Sequence, residues 1–180
     1  MGAGTYSCNG LAGLESLAAT STVIQAIDFG SGWNIWSTYV SPEDPDMASI
    51  FSGIVDDVII CKDGDGNVYW PAFSLNSIGD ITDAEGYQVK TSVDVTLEVM
   101  GLLLNPQMTF DIEQGWSIIG YIKVNPSDAA EMMTPIINDL IIMKDENGNV
   151  YWPAFGLNNI GNMKAGEGYQ TKLFNNVSFS

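Results

Sequence analysis

Asp63, Asp65 and Asn67 stand at alternate positions, and Asp145, Asn147 and Asn149 repeat the arrangement. Oxygen-bearing side chains at every second residue open a calcium loop, because a hard cation collects carboxylate and amide oxygens from alternate positions. The rest of such a loop is missing. Val68 stands where the turn glycine belongs, and no bidentate Glu follows. Gly and Asn also accept positive φ, so both segments read first as tight hairpin turns and second as weak Ca2+ sites. The first is the better calcium candidate, since Asn147 replaces Asp65.

Directly after each turn comes Tyr-Trp-Pro-Ala-Phe, as Tyr69–Phe73 and Tyr151–Phe155. Neighbouring strand residues face opposite ways. Of Tyr69 and Trp70 one enters the core and the other lies outside, and the same holds for Tyr151 and Trp152. An exposed aromatic could stack on a sugar ring or anchor a protein. All four residues are therefore candidate ligand contacts, against a reading in which both members of each pair simply pack. Pro71 and Pro153 place this strand at an edge or end it.

Catalytic chemistry is thin. The chain has no His and no Arg, and neither a Gly-x-Ser-x-Gly nor a Ser-x-x-Lys string. Carboxylates common to both copies are Asp28/Asp111, Asp46/Asp128, Asp57/Asp139, Asp63/Asp145 and Glu85/Glu167. Glu85 and Glu167 across a pseudo-twofold axis could form an acid–base couple; the competing reading puts them in turns completed by Gly86 and Gly168. The expectation is a protein that is not an enzyme. Lys62/Lys144 and Lys90/Lys172 recur by position and are expected to shield strand edges or to pair with carboxylates.

These pieces belong to a duplication. Lys62–Phe73 returns as Lys144–Phe155, Gly86-Tyr87-Gln88 as Gly168-Tyr169-Gln170, and Gly32-Trp33 as Gly115-Trp116. The repeat length marks a doubled small domain rather than a solenoid. We divide the chain into an N-terminal tail or packing arm (1–21), a first unit (22–101) and a second unit (105–180), joined by Leu102–Leu104. Expected strands in the first unit are Thr22–Phe29, Trp33–Val40, Val58–Lys62, Asn67–Phe73, Gly86–Lys90 and Val93–Val99. Their counterparts are Gln107–Ile112, Trp116–Val124, Leu140–Lys144, Asn149–Phe155, Gly168–Lys172 and a short Asn175–Ser180. A short helix starts near Pro42–Asp46 in one unit and is capped by Ser127 in the other, with Pro135 limiting it. The fold class expected is mainly β: two tandem homologous small β-barrel or sandwich units, each of about six strands and one short helix.

Composition narrows the partners. The 22 acids against six Lys give a net charge of −16. Such a surface repels phosphate backbones and anionic membranes, so no nucleic acid and no membrane insertion are expected. No segment is long and apolar enough to span a bilayer, and the N-terminus lacks a basic-then-apolar secretion signal. Cys61 is matched by Met143, which fits a small buried hydrophobe; a Cys8–Cys61 disulfide is the alternative.

The recurring string is Gly-Trp-x-Ile, an acidic helix, Asp-x-Ile-Ile-x-Lys-Asp, Gly-Asn-Val-Tyr-Trp-Pro, Asn-x-Ile-Gly and Glu-Gly-Tyr-Gln-x-Lys. It resembles tandem modules of secreted and surface proteins of marine and gliding bacteria, with similar modules in virus-like sequences. The resemblance covers about Thr22–Ser180. It implies an extracellular or cell- or virion-surface β-module used for display, adhesion or binding of a glycan or surface protein. The alternative is a structural subunit of a virion fibre, sheath or surface filament that self-associates through strand edges.

Overall fold

The computed structural model describes residues 21–179. The chain is mainly β, and none of its sheets closes into a barrel. The order is β1 (Val23–Phe29), β2 (Gly32–Trp36), β3 (Val40–Pro42), α1 (Met47–Ile50), β4 (Val58–Lys62), β5 (Val68–Trp70), β6 (Leu75–Asn76), β7 (Tyr87–Thr91) and β8 (Val95–Leu103). Then come β9 (Phe110–Ile112), β10 (Gly115–Gly120), β11 (Ser127–Asp128), α2 (Ala129–Met133), β12 (Leu140–Lys144), β13 (Val150–Trp152), β14 (Leu157–Asn158), β15 (Asn162–Met163), β16 (Gly168–Leu173) and β17 (Val177–Phe179).

Two five-stranded antiparallel sheets dominate, ordered β2-β7-β4-β5-β6 and β10-β16-β12-β13-β14. Their registers correspond residue for residue: Trp33 faces Lys90 as Trp116 faces Lys172, and Cys61 faces Tyr69 as Met143 faces Tyr151. Against the first lies a three-stranded sheet, β1-β8-β3; near the second, among the described residues, lie the pairs β9-β17 and β11-β15. Period-2 alternation builds the first core. Ile27 and Phe29 of β1, Leu97 and Val99 of β8, and Trp36, Cys61, Tyr69, Tyr87 and Val89 of the large sheet are all buried in one cluster. The second core gathers Ile112, Ile119, Met133, Met143, Tyr151, Met163, Tyr169, Leu173 and Phe179.

The expected Trp33–Val40 and Trp116–Val124 strands each break, after Trp36 and Gly120, because there the chain turns onto the other half. The expected Val93–Val99 strand begins at Val95 and runs on through Leu103, pairing Gly101–Leu103 with β3. In α2 the cap is Asp128, not Ser127: its Oδ1 accepts from the N–H of Ala130 and of Glu131, at 2.9 and 3.1 Å. Asp46 caps α1 in the same manner. Its other oxygen accepts from Asn76 Nδ2 at 2.9 Å, while Asn76 Oδ1 takes the Gly79 N–H. Asp128, Asn158 and Gly161 repeat that chain of bonds. The kept Asn-x-Ile-Gly loop thus ties each helix start to the sheet. Cys61 is fully buried, as is Met143; Cys8 and the disulfide reading lie outside the described residues.

Candidate functional site

The turns come first in the sequence and are fully committed in the structure. Asp63 Oδ1 accepts from the N–H of Asp65 (3.0 Å) and of Asn67 (2.8 Å), and Oδ2 accepts from Asn67 Nδ2 at 2.6 Å. Asp145 receives the same three bonds from Asn147 and Asn149. These are Asx turns in which the carboxylate substitutes for a backbone acceptor. Asp65 and Asn147 contribute backbone N–H groups rather than an inward oxygen. A cation would have to displace bonds that the turn already makes.

The aromatic segments divide as alternation requires. Tyr69 and Tyr151 are buried at 5% and 7% exposure, so these two candidate ligand contacts belong to the core. Burial raises the pKa of both phenols, with Asp46 adding to Tyr69 and Asp128 to Tyr151. Trp70 and Trp152 lie outward, each 37% exposed. Pro71–Phe73 and Pro153–Phe155 then form a 3-10 turn closed by a left-handed residue, Ser74 (φ 52°) or Gly156 (φ 61°). That turn swings Phe73 and Phe155 back edge-on to the Trp ring. Both pairs have ring centroids 4.5 Å apart and an interplanar angle of 66°. The phenylalanines are 68% and 72% exposed. Sequence reading missed them as surface residues; the signal was the Pro-Ala-Phe-Ser/Gly string, which encodes the returning turn.

A second repeated station lies on the outer face of each large sheet. Trp33 and Trp116 are half exposed. Lys62 Nζ and Lys90 Nζ sit 5.2 and 5.9 Å from the Trp33 ring, and Lys144 Nζ and Lys172 Nζ sit 5.1 and 5.5 Å from that of Trp116. The expectation of edge shielding or carboxylate pairing is corrected here. These lysines lie over indole faces, and the only ion pair among the described residues is Lys164–Glu167 at 3.4 Å.

Glu85 and Glu167 do not face each other as a couple. Each accepts a bond from its own tyrosine, Tyr87 or Tyr169, at 3.2 and 2.5 Å. Burial, then the neighbouring Glu, drives both phenol pKa values far upward. The Glu backbones bridge the halves instead: Glu85 pairs with Ile119, and Glu167 with Trp36. Gly86 N–H donates to Ile118 O (2.9 Å), Gly120 N–H to Ala84 O (2.7 Å), and Ser37 N–H to Gly166 O (3.0 Å). A Cβ on Gly86 would lie 2.7 Å from Ile118 Cγ2, and one on Gly168 would lie 2.8 Å from Trp36 O. Gly-Tyr-Gln recurs because glycine alone lets the two halves approach this closely.

Among the described residues no three His, Cys, Asp or Glu side chains converge as metal ligands. No helix is long and apolar enough to cross a membrane. Comparison with protein-family models, curated proteins and solved structures returned no match.

Proposed function

We propose that the chain is two tandem homologous units, 22–101 and 105–180, forming a non-enzymatic module of a cell or virion surface that binds a glycan or a surface protein. One observation carries the reading. Trp70–Phe73 and Trp152–Phe155 are exposed, equal in geometry and placed at corresponding positions. Scattered exposed apolar residues need no explanation. Two aromatic rings held edge-on by a rigid turn, twice, form a preorganised apolar platform, which suits the C–H face of a sugar ring or an aliphatic side chain. The residues assigned to it are Trp70, Phe73, Trp152 and Phe155. The resemblance to secreted and surface modules supports the same location. A glycan array and a cell-surface binding assay test it with Trp70→Ala/Phe73→Ala and Trp152→Ala/Phe155→Ala. Binding should fall at least tenfold when both platforms are removed, since two linked sites act together. Unchanged binding by a folded variant rejects the platforms.

A second reading, a structural subunit that self-associates through strand edges, is favoured by the sheet edges: β6 and β14 each end a five-stranded order with a strand partner on one side only among the described residues.

A further inference from the structure

Ile35 and Ile118 hold matching places: Ile35 faces Gln88 across β2 and β7, and Ile118 faces Gln170 across β10 and β16. They differ in what meets them from the other half. Ile35 N–H donates to Glu146 Oε2 at 3.2 Å, in the turn after β12. The residue matching Glu146 in the turn after β4 is Gly64. Ile118 O accepts from the Gly86 N–H at 2.9 Å. The Ile118 N–H lies on the same strand edge, because a residue in an antiparallel pair turns both backbone groups the same way. A Cβ built on Gly64 would stand 3.6 Å from that nitrogen and would meet nothing closer.

The first half thus sets a carboxylate on its isoleucine N–H, where the second has only a glycine. A pocket of about 300 Å3 opens there, bordered by Gly64, Gln88, Trp116, Ile118, Lys144 and Gln170. That volume lies at the small end of ligand sites.

The lining is chemically specific. Ile118 N–H and Lys144 are donors suited to an anion, and Lys144 joins no ion pair among the described residues. Gln88 and Gln170, one from each half, carry amides that both donate and accept, which suits hydroxyl groups. Trp116, half exposed, supplies an apolar wall for C–H groups. Asp63 also borders the pocket, but both its oxygens are engaged in the turn by Asp65 and Asn67. An acidic peptide side chain would use the donors and leave the two amides without hydroxyl partners.

We propose that this pocket binds a carboxylate-bearing sugar, a uronate residue of an acidic glycan. Its carboxylate takes Ile118 N–H and Lys144, as Glu146 takes Ile35 N–H in the other half. The site shares no lining residue with the Trp70–Phe73 and Trp152–Phe155 platforms and does not depend on them.

The test uses the full chain and tetragalacturonate, with the fully methyl-esterified tetramer as neutral control, in isothermal titration calorimetry. The free acid should bind at least about tenfold more tightly than the ester. Gly64→Glu reproduces the Glu146 contact in the second half. It should weaken binding at least about tenfold while the melting temperature stays unchanged. Lys144→Gln, which leaves the turn intact, should weaken binding severalfold, and its counterpart Lys62→Gln should not. Adding Glu146→Gly to Gly64→Glu should restore binding and transfer the dependence to Lys62. Trp70→Ala with Phe73→Ala should leave uronate binding as it was, which separates this site from the platforms. No binding, or equal binding of the ester, overturns the carboxylate site. Full binding by both Gly64→Glu and Lys144→Gln puts the uronate elsewhere and overturns the pocket. A double turn variant that stays silent overturns the exchange of Gly64 for Glu146 as the cause. Tighter binding of tetra-aspartate than of tetragalacturonate overturns the sugar assignment and leaves an acidic peptide as the occupant.

Discussion

The two halves share a frame and differ in filling. In the first, Trp36 sits at the centre of an aromatic cluster, with ring centroids 5.4 Å from Phe51, 5.5 Å from Tyr87 and 6.2 Å from Phe29. In the second, Ile119 replaces Trp36, Met133 replaces Phe51, Met143 replaces Cys61 and Met163 replaces Ile81, and the three methionines are fully buried. The exchanges compensate: the large indole beside a small thiol becomes two side chains of middling volume. Cores tolerate such swaps when total volume is kept, and flexible methionine fills what the rings leave. What does not change is what the backbone needs. Asp46 and Asp128 cap, Asn76 and Asn158 tie loops, and Gly86 and Gly168 permit contact between halves. Identity between the copies thus reports backbone constraint more than core composition.

The joint is the sharpest place to challenge that symmetry. Gly86→Val and Gly168→Val should each cost more than about 3 kcal/mol, by driving a side chain into the opposite backbone. Urea unfolding of both decides whether the two contacts are equivalent; a large cost at one and none at the other breaks the comparison. Next in size is the core exchange. Trp36→Ile should cost about 3 kcal/mol and Cys61→Met about 1–3 kcal/mol. Joined, they recreate the second half's pair, and the double variant should be more stable than the sum predicts by about 1 kcal/mol or more. Strict additivity would show that the two positions do not compensate.

Asp63→Ala and Asp145→Ala should each lose about 1–2 kcal/mol, comparable to losing a cap. Calcium at millimolar concentration should leave the melting temperature unchanged, because both oxygens of each Asp serve the turn. A calcium shift abolished by Asp63→Ala alone would single out the first turn as a cation site. The pH response is smaller over most of the range. The four shifted tyrosines have folded-state pKa values raised by burial. The unfolded chain loses those protons first, so stability is full below about pH 10 and falls as pH rises beyond it. Burial also pushes the Cys61 thiol up to about 12, against an opposing pull from Trp36, so this decline begins near pH 9. Met143 has no such proton. Cys61→Met should remove the earliest part of the loss, as read by denaturant melts from pH 8 to 11. Smallest are the lysine–indole contacts: Lys62→Gln and Lys144→Gln should cost under about 1 kcal/mol each, and equally.

Much of the frame was legible because it is local. Val58–Lys62 and Leu140–Lys144 are strands with the bounds their apolar runs indicate. That one residue of each Tyr-Trp pair faces inward follows from period-2 alternation alone; that it is the Tyr does not, and comes from the structure. What escaped was non-local. Trp33 and Lys62 lie on β2 and β4 with β7 between them, a neighbourhood no spacing reveals. Gly86 and Gly168 read as turn glycines because their neighbours are each other's half, far along the chain. The strand expected over Asn67–Phe73 stops at Trp70, and a 3-10 turn returns Phe73 to the surface beside it.

The joint between halves also sets an order of events in folding. Ser37 Oγ donates to the carbonyl of Glu167, 130 residues away, and the Tyr121 N–H donates to Ser37 Oγ across 84. Ile35 N–H reaches the Glu146 carboxylate across 111 residues. Closing loops of that length costs chain entropy before any contact compensates it, whereas the hairpins β4-β5 and β12-β13 need only a five-residue turn. Each half has its own core and can collapse first, leaving docking as the late, slow step. Refolding should then show a fast phase insensitive to Gly168 and a slower one that substitution at Gly168 removes.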